Sequence, residues 1–173
     1  KKKNDVLLDA ADNIKKNKKI IIEHNSIDIE ENKKKLNSSL LDRLMLDSDR
    51  IDSICKGLVE ISELDDPIGK ILGEWKRPNG LKLKKVTIPI GIIGVIYESR
   101  PNVTSDVSTL CFKSGNCVIL RGGSEAYFSN KILADLFRKS LEKNKINKNF
   151  VQFIENKNRK LVDYMLSKMS EYI

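Results

Sequence analysis

Ile90 to Ala126 reads IGIIGVIYESRPNVTSDVSTLCFKSGNCVILRGGSEA. The order is an apolar strand, a polar loop ending in Arg100-Pro101-Asn102, a short helix, a second apolar strand, and a glycine-rich loop that opens another helix. Strand-length apolar runs that alternate with helical periodicity across short loops specify an α/β fold with a parallel sheet and right-handed crossovers. Both loops fall at the carboxyl ends of neighbouring strands, where open α/β sheets bind their ligands.

Downstream the alternation continues. Strand Ile92 to Tyr97 leads to helix Thr104 to Ser114, strand Cys117 to Leu120 to helix Glu125 to Lys143, and strand Phe150 to Ile154 to helix Asn158 to Met169. Glu171-Tyr172-Ile173 reads as the start of a fourth strand. Upstream, Asn79-Gly80 favours a tight turn between Glu74 to Arg77 and Leu81 to Ile88, and the Leu81/Lys82/Leu83/Lys84 alternation predicts a strand with one wet face. Such a hairpin is barely stable alone and needs a surface to pack on, either its own domain or another subunit. Residues 1–66 read as helical. Val6, Leu7, Ala10, Ala11 and Ile14 share one face, and Ile51, Ile54, Cys55, Leu58 and Ser62 share another after a cap at Asp47. Between them lie a lysine-rich helix over Ile20 to Leu36 and a short one over Ser39 to Leu46. Pro67 closes this layer. The organisation is therefore a helical layer (1–72), a hairpin (73–89) and the first part of a Rossmann-like sheet domain (90–173).

Composition narrows the function. The chain has 173 residues, is 40% hydrophobic and carries a net charge of +8, with a pI near 9.3. Its lysines are scattered, diluted by 24 acids and not interleaved with aromatics, which argues against nucleic-acid binding. A mildly positive field suits anionic small molecules. Cys55, Cys111 and Cys117 form no CxxC pair and leave an odd count, so neither a disulfide framework nor a metal site is expected, and a cytoplasmic, reducing setting is. The longest apolar run, Ile88 to Tyr97, contains Pro89 and two glycines and is too short to span a bilayer. Lys1-Lys2-Lys3 leads into a polar segment, not a secretory signal. A chain that opens on lysine and stops as a strand begins reads as trimmed at both ends.

Two loops carry the candidate chemistry. In Arg121-Gly122-Gly123-Ser124-Glu125 the glycines allow close backbone approach, Ser124 is a suitable N-cap, the helix start offers free N–H groups, and Arg121 supplies a planar fork. Either this is a nucleotide phosphate or ribose site or it is an ordinary strand-to-helix turn. In Glu98-Ser99-Arg100-Pro101-Asn102 the proline fixes the loop. Read locally, Asn102 caps the next helix or makes a turn, and Arg100 pairs with Glu98 or meets an anion. The cysteines read as small buried hydrophobes, and His24 as a surface residue without an acid–base partner.

Tyr97 to Thr104, Lys113 to Asn116 and Val118 to Ala126 together resemble the gamma-glutamyl phosphate reductases, a branch of the aldehyde dehydrogenase superfamily. The likeness extends to Leu40-Leu41-Asp42-Arg43-Leu44 and Glu74 to Leu81. The resemblance implies an aldehyde dehydrogenase-like fold, a hairpin serving as oligomerisation arm, and a homo-oligomer. It implies NADPH-dependent reduction of L-glutamate 5-phosphate to the semialdehyde in proline biosynthesis, with glutamate 5-kinase as a functional partner. The nucleophilic cysteine, which would carry a thioester, lies beyond this chain. Asn102 would donate to the oxyanion, Arg100 would meet the substrate's anionic groups, and Glu98, Ser99, Arg121, Gly122, Gly123, Ser124 and Glu125 would line the cofactor. An arginine at position 121 suits a 2′-phosphate. The remaining readings are a non-catalytic NADP(H)-binding module and another oxidoreductase of the superfamily.

Overall fold

The computed structural model of the chain describes residues 2–169 and 171. Four helices come first: α1 (Lys2–Lys16), α2 (Lys18–Asn32), α3 (Ser38–Leu44) and α4 (Ser48–Glu63). α1 buries Val6, Leu7, Ala10, Ala11 and Ile14, and α4 buries Ile51, Ile54, Cys55, Leu58 and Ser62, the two stripes the helical period picks out. Asp47 caps α4 by accepting from Arg50 N at 2.7 Å. α2 ends at Asn32, four residues before the expected Leu36, because residues 33–35 turn the chain. Its buried set is largely polar: Ile21 is joined by Asn25, Asp28 and Asn32. Those polar residues are needed further along the chain.

The hairpin forms as its turn dictates. β1 (Ile71–Lys76) pairs antiparallel with β2 (Lys82–Val86), Gly80 takes a φ of +87°, and Asn79 Oδ1 accepts from Leu81 N at 3.1 Å. The expected single wet face is a point of difference. Among the described residues no other element packs along the ribbon, so both strands are largely exposed, with Trp75 at 54%.

The remainder is a three-stranded parallel sheet, ordered β3 (Ile92–Ile96), β4 (Cys117–Arg121), β5 (Val151–Phe153). α5 (Asn102–Lys113) connects β3 to β4, α6 (Tyr127–Lys143) connects β4 to β5, and α7 (Lys160–Lys168) follows β5. β4, the central strand, holds Val118 and Leu120 at 0% exposure, whereas β3 is an edge with Ile96 at 44%. α5 and α6 pack on each other and carry the sheet onto α1 and α4. Phe112 sits edge-on to Phe137 and Phe150, with ring centres 6.2 and 5.8 Å apart. The register pairs Ile96 with Arg121, so the two candidate loops leave the sheet side by side. Glu171 lies in a turn, and Tyr172 and Ile173, where a fourth strand is expected, lie outside the described residues.

Candidate active site

The glycine-rich loop after β4 is packed against its own protein. A Cβ built on Gly122 would overlap Asn130 Nδ2 and stand 3.0 Å from the Tyr97 ring; one on Gly123 would stand 2.8 Å from Glu125 Oε2 and 2.9 Å from Ser99 Oγ. The glycines thus let the ends of β3, β4 and α6 meet, beside the close ligand approach that the sequence suggested. The same contacts continue as a buried chain of hydrogen bonds. Tyr97 Oη lies 2.7 Å from Thr104 Oγ1, which donates to Asn130 Oδ1 at 2.9 Å. Burial is the first cause that pushes the Tyr97 phenol up to about 12, so it stays protonated as a hydrogen-bonding group.

The N-terminus of α6 is also taken. A 3₁₀ turn over Ser124–Ala126 precedes it, and Ser124 does not cap it. Asp28 of α2 does. Its carboxylate accepts from Phe128 N at 3.1 Å, Ser129 N at 2.8 Å and Ser129 Oγ at 2.6 Å. Asn32 Nδ2 donates to Glu125 O at 3.2 Å, and Asn25 Nδ2 to Ser129 Oγ at 3.0 Å. The polar face of α2 is thus a socket for the start of α6, satisfying N–H groups that a helix start leaves open. Burial raises the Asp28 pKa, and the hydrogen bonds from Ser129 and Phe128 only partly offset it.

Arg121 is buried. Its Nη1 donates to Gly122 O and its Nη2 to Lys157 O at 3.1 Å, which clasps the loop after β5; Nε has no partner. Glu125 accepts from Ser99 Oγ at 2.9 Å and so joins the two loops. Burial works against ionisation of Glu125, but hydrogen bonds from its own backbone, Ser99 and Ser124, with the Arg121 charge, outweigh it and hold the carboxyl below its ordinary value.

The loop after β3 is the more open of the two. Glu98 and Arg100 are exposed and form no ion pair with each other; only Arg100 N returns to Glu98 O, at 2.8 Å. Asn102 lies inside the first turn of α5 and caps nothing. Its Nδ2 donates one hydrogen to Asp106 Oδ2 at 3.0 Å, leaving the second free. An acceptor-only carboxylate here fixes which end of the amide is the donor. Burial raises the Asp106 pKa and the Asn102 hydrogen bond lowers it in part.

Two cavities open at these strand ends. One, of about 460 Å³, lies between α3, α4 and the start of α5 and is lined by Asn102, Asp106, Arg50 and Ile54, among others. The second, of about 520 Å³, is lined by Glu98, Ser99, Arg121 to Glu125, Lys157 and Arg159. Arg43 and Arg100 line both, so the cavities adjoin at those two side chains.

Known proteins resemble this chain in sequence and fold. The chain is 46% identical over 172 residues to the gamma-glutamyl phosphate reductase of Clostridium tetani, which takes in 99% of this chain and 40% of that protein. The crystal structure of the Thermotoga maritima gamma-glutamyl phosphate reductase superposes with a TM-score of 0.96 at 41% identity, over 99% of this chain and 42% of that one. The chain matches the N-terminal part of the gamma-glutamyl phosphate reductase family. It spans about two-fifths of the length of the curated relatives it matches. An engineered glycolyl-CoA reductase with bound NADP+ superposes with a TM-score of 0.61 at 15% identity, over 96% of this chain and 35% of that one, a likeness of fold alone. The fold is accordingly the α/β, aldehyde dehydrogenase-like one that the reductase resemblance implied. No protein-family model matches the chain.

Measured against the reductase expectations, the structure gathers Glu98, Ser99, Arg121, Gly122, Gly123, Ser124 and Glu125 around one cavity and puts Asn102 in the next. Arg100 stands at their junction. Cys55 and Cys111 are buried and Cys117 half-buried, and burial pushes all three thiols up, away from a reactive thiolate. His24 is half-buried, not on the open surface, and its Nδ1 lacks a partner. Among the described residues no set of three or more metal-ligating side chains comes together, and no helix is long and apolar enough to cross a membrane. Sequence reasoning missed Asp28, Arg43, Asp106, Lys157 and Arg159 as contributors. Arg159 carried a usable signal, since it lies past the carboxyl end of the third strand as Arg100 lies past that of the first, and Arg121 ends the second.

Proposed function

We propose that this chain supplies the cofactor-binding part and the oxyanion donor of a gamma-glutamyl phosphate reductase, which reduces L-glutamate 5-phosphate to L-glutamate 5-semialdehyde and phosphate with NADPH. One observation carries the reading: Asn102 and the Arg121 to Glu125 loop face two cavities that adjoin at Arg43 and Arg100. A bound cofactor and a reacting acyl group have to meet at such a junction. The residues fit a dinucleotide because the unpartnered Nε of buried Arg121 and the ionised Glu125 offer a donor and an acceptor for ribose oxygens. When bound, the nicotinamide supplies a hydride.

The chain's own residues do the rest. Asn102 turns its free amide hydrogen toward the carbonyl oxygen as charge develops there, held in that sense by Asp106. Arg100 meets an anionic group of the substrate. The nucleophilic cysteine stands outside these 173 residues, consistent with the raised thiols of the three present. The exposed hairpin suits an oligomerisation arm of a homo-oligomer. Three free cysteines suit the cytoplasm, where glutamate 5-kinase would supply the labile substrate. The test follows NADP reduction by the full-length protein with glutamate semialdehyde, with and without inorganic phosphate. Turnover that requires phosphate is the expected result, and phosphate-independent turnover overturns the acyl-phosphate assignment.

A further inference from the structure

The cavity of the β4 loop contains more positive charge than the Arg121 fork accounts for. Five cationic side chains, Arg43, Arg100, Arg121, Lys157 and Arg159, face two carboxylates, Glu98 and Glu125. Arg121, the residue the sequence favours for a phosphate, is buried and spends one hydrogen of each terminal nitrogen on a carbonyl oxygen of its own protein, Gly122 O and Lys157 O. A fork clasped to two backbone carbonyls is less free to turn both prongs onto a phosphate, the two-pronged grip that makes arginine a phosphate reader, than an exposed arginine on the same cavity.

The free charges divide by side. Arg43 and Arg100 lie at the junction with the Asn102 cavity, where the reacting end of a cofactor belongs. The adenosine end then lies toward β5. There the loop that follows the strand brings up Lys157 and Arg159. Lys157 Nζ is held 4.7 Å above the Tyr127 ring and 3.7 Å from Glu31. Arg159 is exposed, stands just before α7 and has no ion pair among the described residues.

Resting on the cofactor reading above, we infer that Arg159 is the specificity residue that recognises the adenosine 2′-phosphate of NADPH, and that Arg121, whatever its Nε gives the ribose, acts on the 2′-phosphate only by holding the Arg159 loop against the sheet. Arg121 acts through the Lys157 carbonyl, two residues from Arg159. Lys157 adds charge to the same rim.

Calorimetric titration of the full-length protein with 2′,5′-ADP and with 5′-AMP tests this. The wild type should prefer 2′,5′-ADP by about tenfold to a hundredfold, the range of a charge-assisted hydrogen bond. Arg159→Ala should bring that preference close to unity with the thermal midpoint unchanged, and Arg159→Lys should restore part of it. Arg121→Ala should lower the preference too, yet add nothing once Arg159 is already alanine, because both act through one contact. A preference that survives Arg159→Ala, or an additive loss in the double variant, overturns the inference. A wild type that binds both probes equally overturns it while leaving a nicotinamide site standing. One that binds neither takes the cofactor reading down as well.

Discussion

The loops after β3 and β4 leave the sheet as neighbours, yet they spend their polar groups in opposite ways. After β4, Arg121 holds two carbonyls, both glycines press on side chains, and the N–H groups opening α6 belong to Asp28. After β3, Glu98 and Arg100 are exposed and Asn102 keeps one amide hydrogen in reserve. The stretch that looks more like a ligand loop is therefore also a joint, and the plainer one keeps more of its polar groups free. A glycine-rich turn opening a helix has the same composition whether its N–H groups meet a phosphate or a buried aspartate.

Substitutions can break or sharpen this contrast. Gly122→Ala should have the largest effect on stability, about 3 kcal/mol, because Asn130 and the Tyr97 ring leave no room for a Cβ. The check is a fall in denaturation midpoint of the full-length protein. Asp28→Ala should cost about 2 kcal/mol, from a lost cap and N–H groups left unsatisfied in a buried place. Asp28 should also leave a signature in pH. Its folded pKa is raised above the ordinary carboxylate value, so its contribution is fully present below that value and is lost as pH rises through the folded one. The stability gap between wild type and Asp28→Asn should accordingly widen on going from pH 7 to pH 4; a constant gap would contradict the buried, desolvated placement. Arg100→Ala, at the open loop, should change stability by no more than about 0.5 kcal/mol, while lowering affinity for the anionic substrate.

Much of this architecture was legible beforehand. The buried stripes of α1 and α4, the Asp47 cap, the Asn79-Gly80 turn and the strand–helix alternation are local patterns, and local patterns fix local structure. What stayed hidden depends on partners distant in sequence. Asp28 caps α6 from about a hundred residues away, and nothing around it marks it as a cap. Arg121 looked free because the carbonyl it holds, on Lys157, comes from beyond the next helix. The hairpin's alternation predicts one covered face, yet no other element among the described residues covers either. Asn102 could be assigned to the oxyanion only through the family likeness, since its own neighbourhood fits a cap equally well. The structure removes the cap reading by placing Asn102 within the helix.

The most direct measurement pairs the turnover of Asn102→Ala in the full-length protein with its affinity for NADPH. If the two cavities divide the work as described, turnover falls on the order of 10²–10³-fold, the loss expected for one oxyanion donor, while the cofactor binds as it does to the wild type. Unchanged turnover, or a loss of NADPH affinity that accounts for the whole defect, would contradict the division between the two loops.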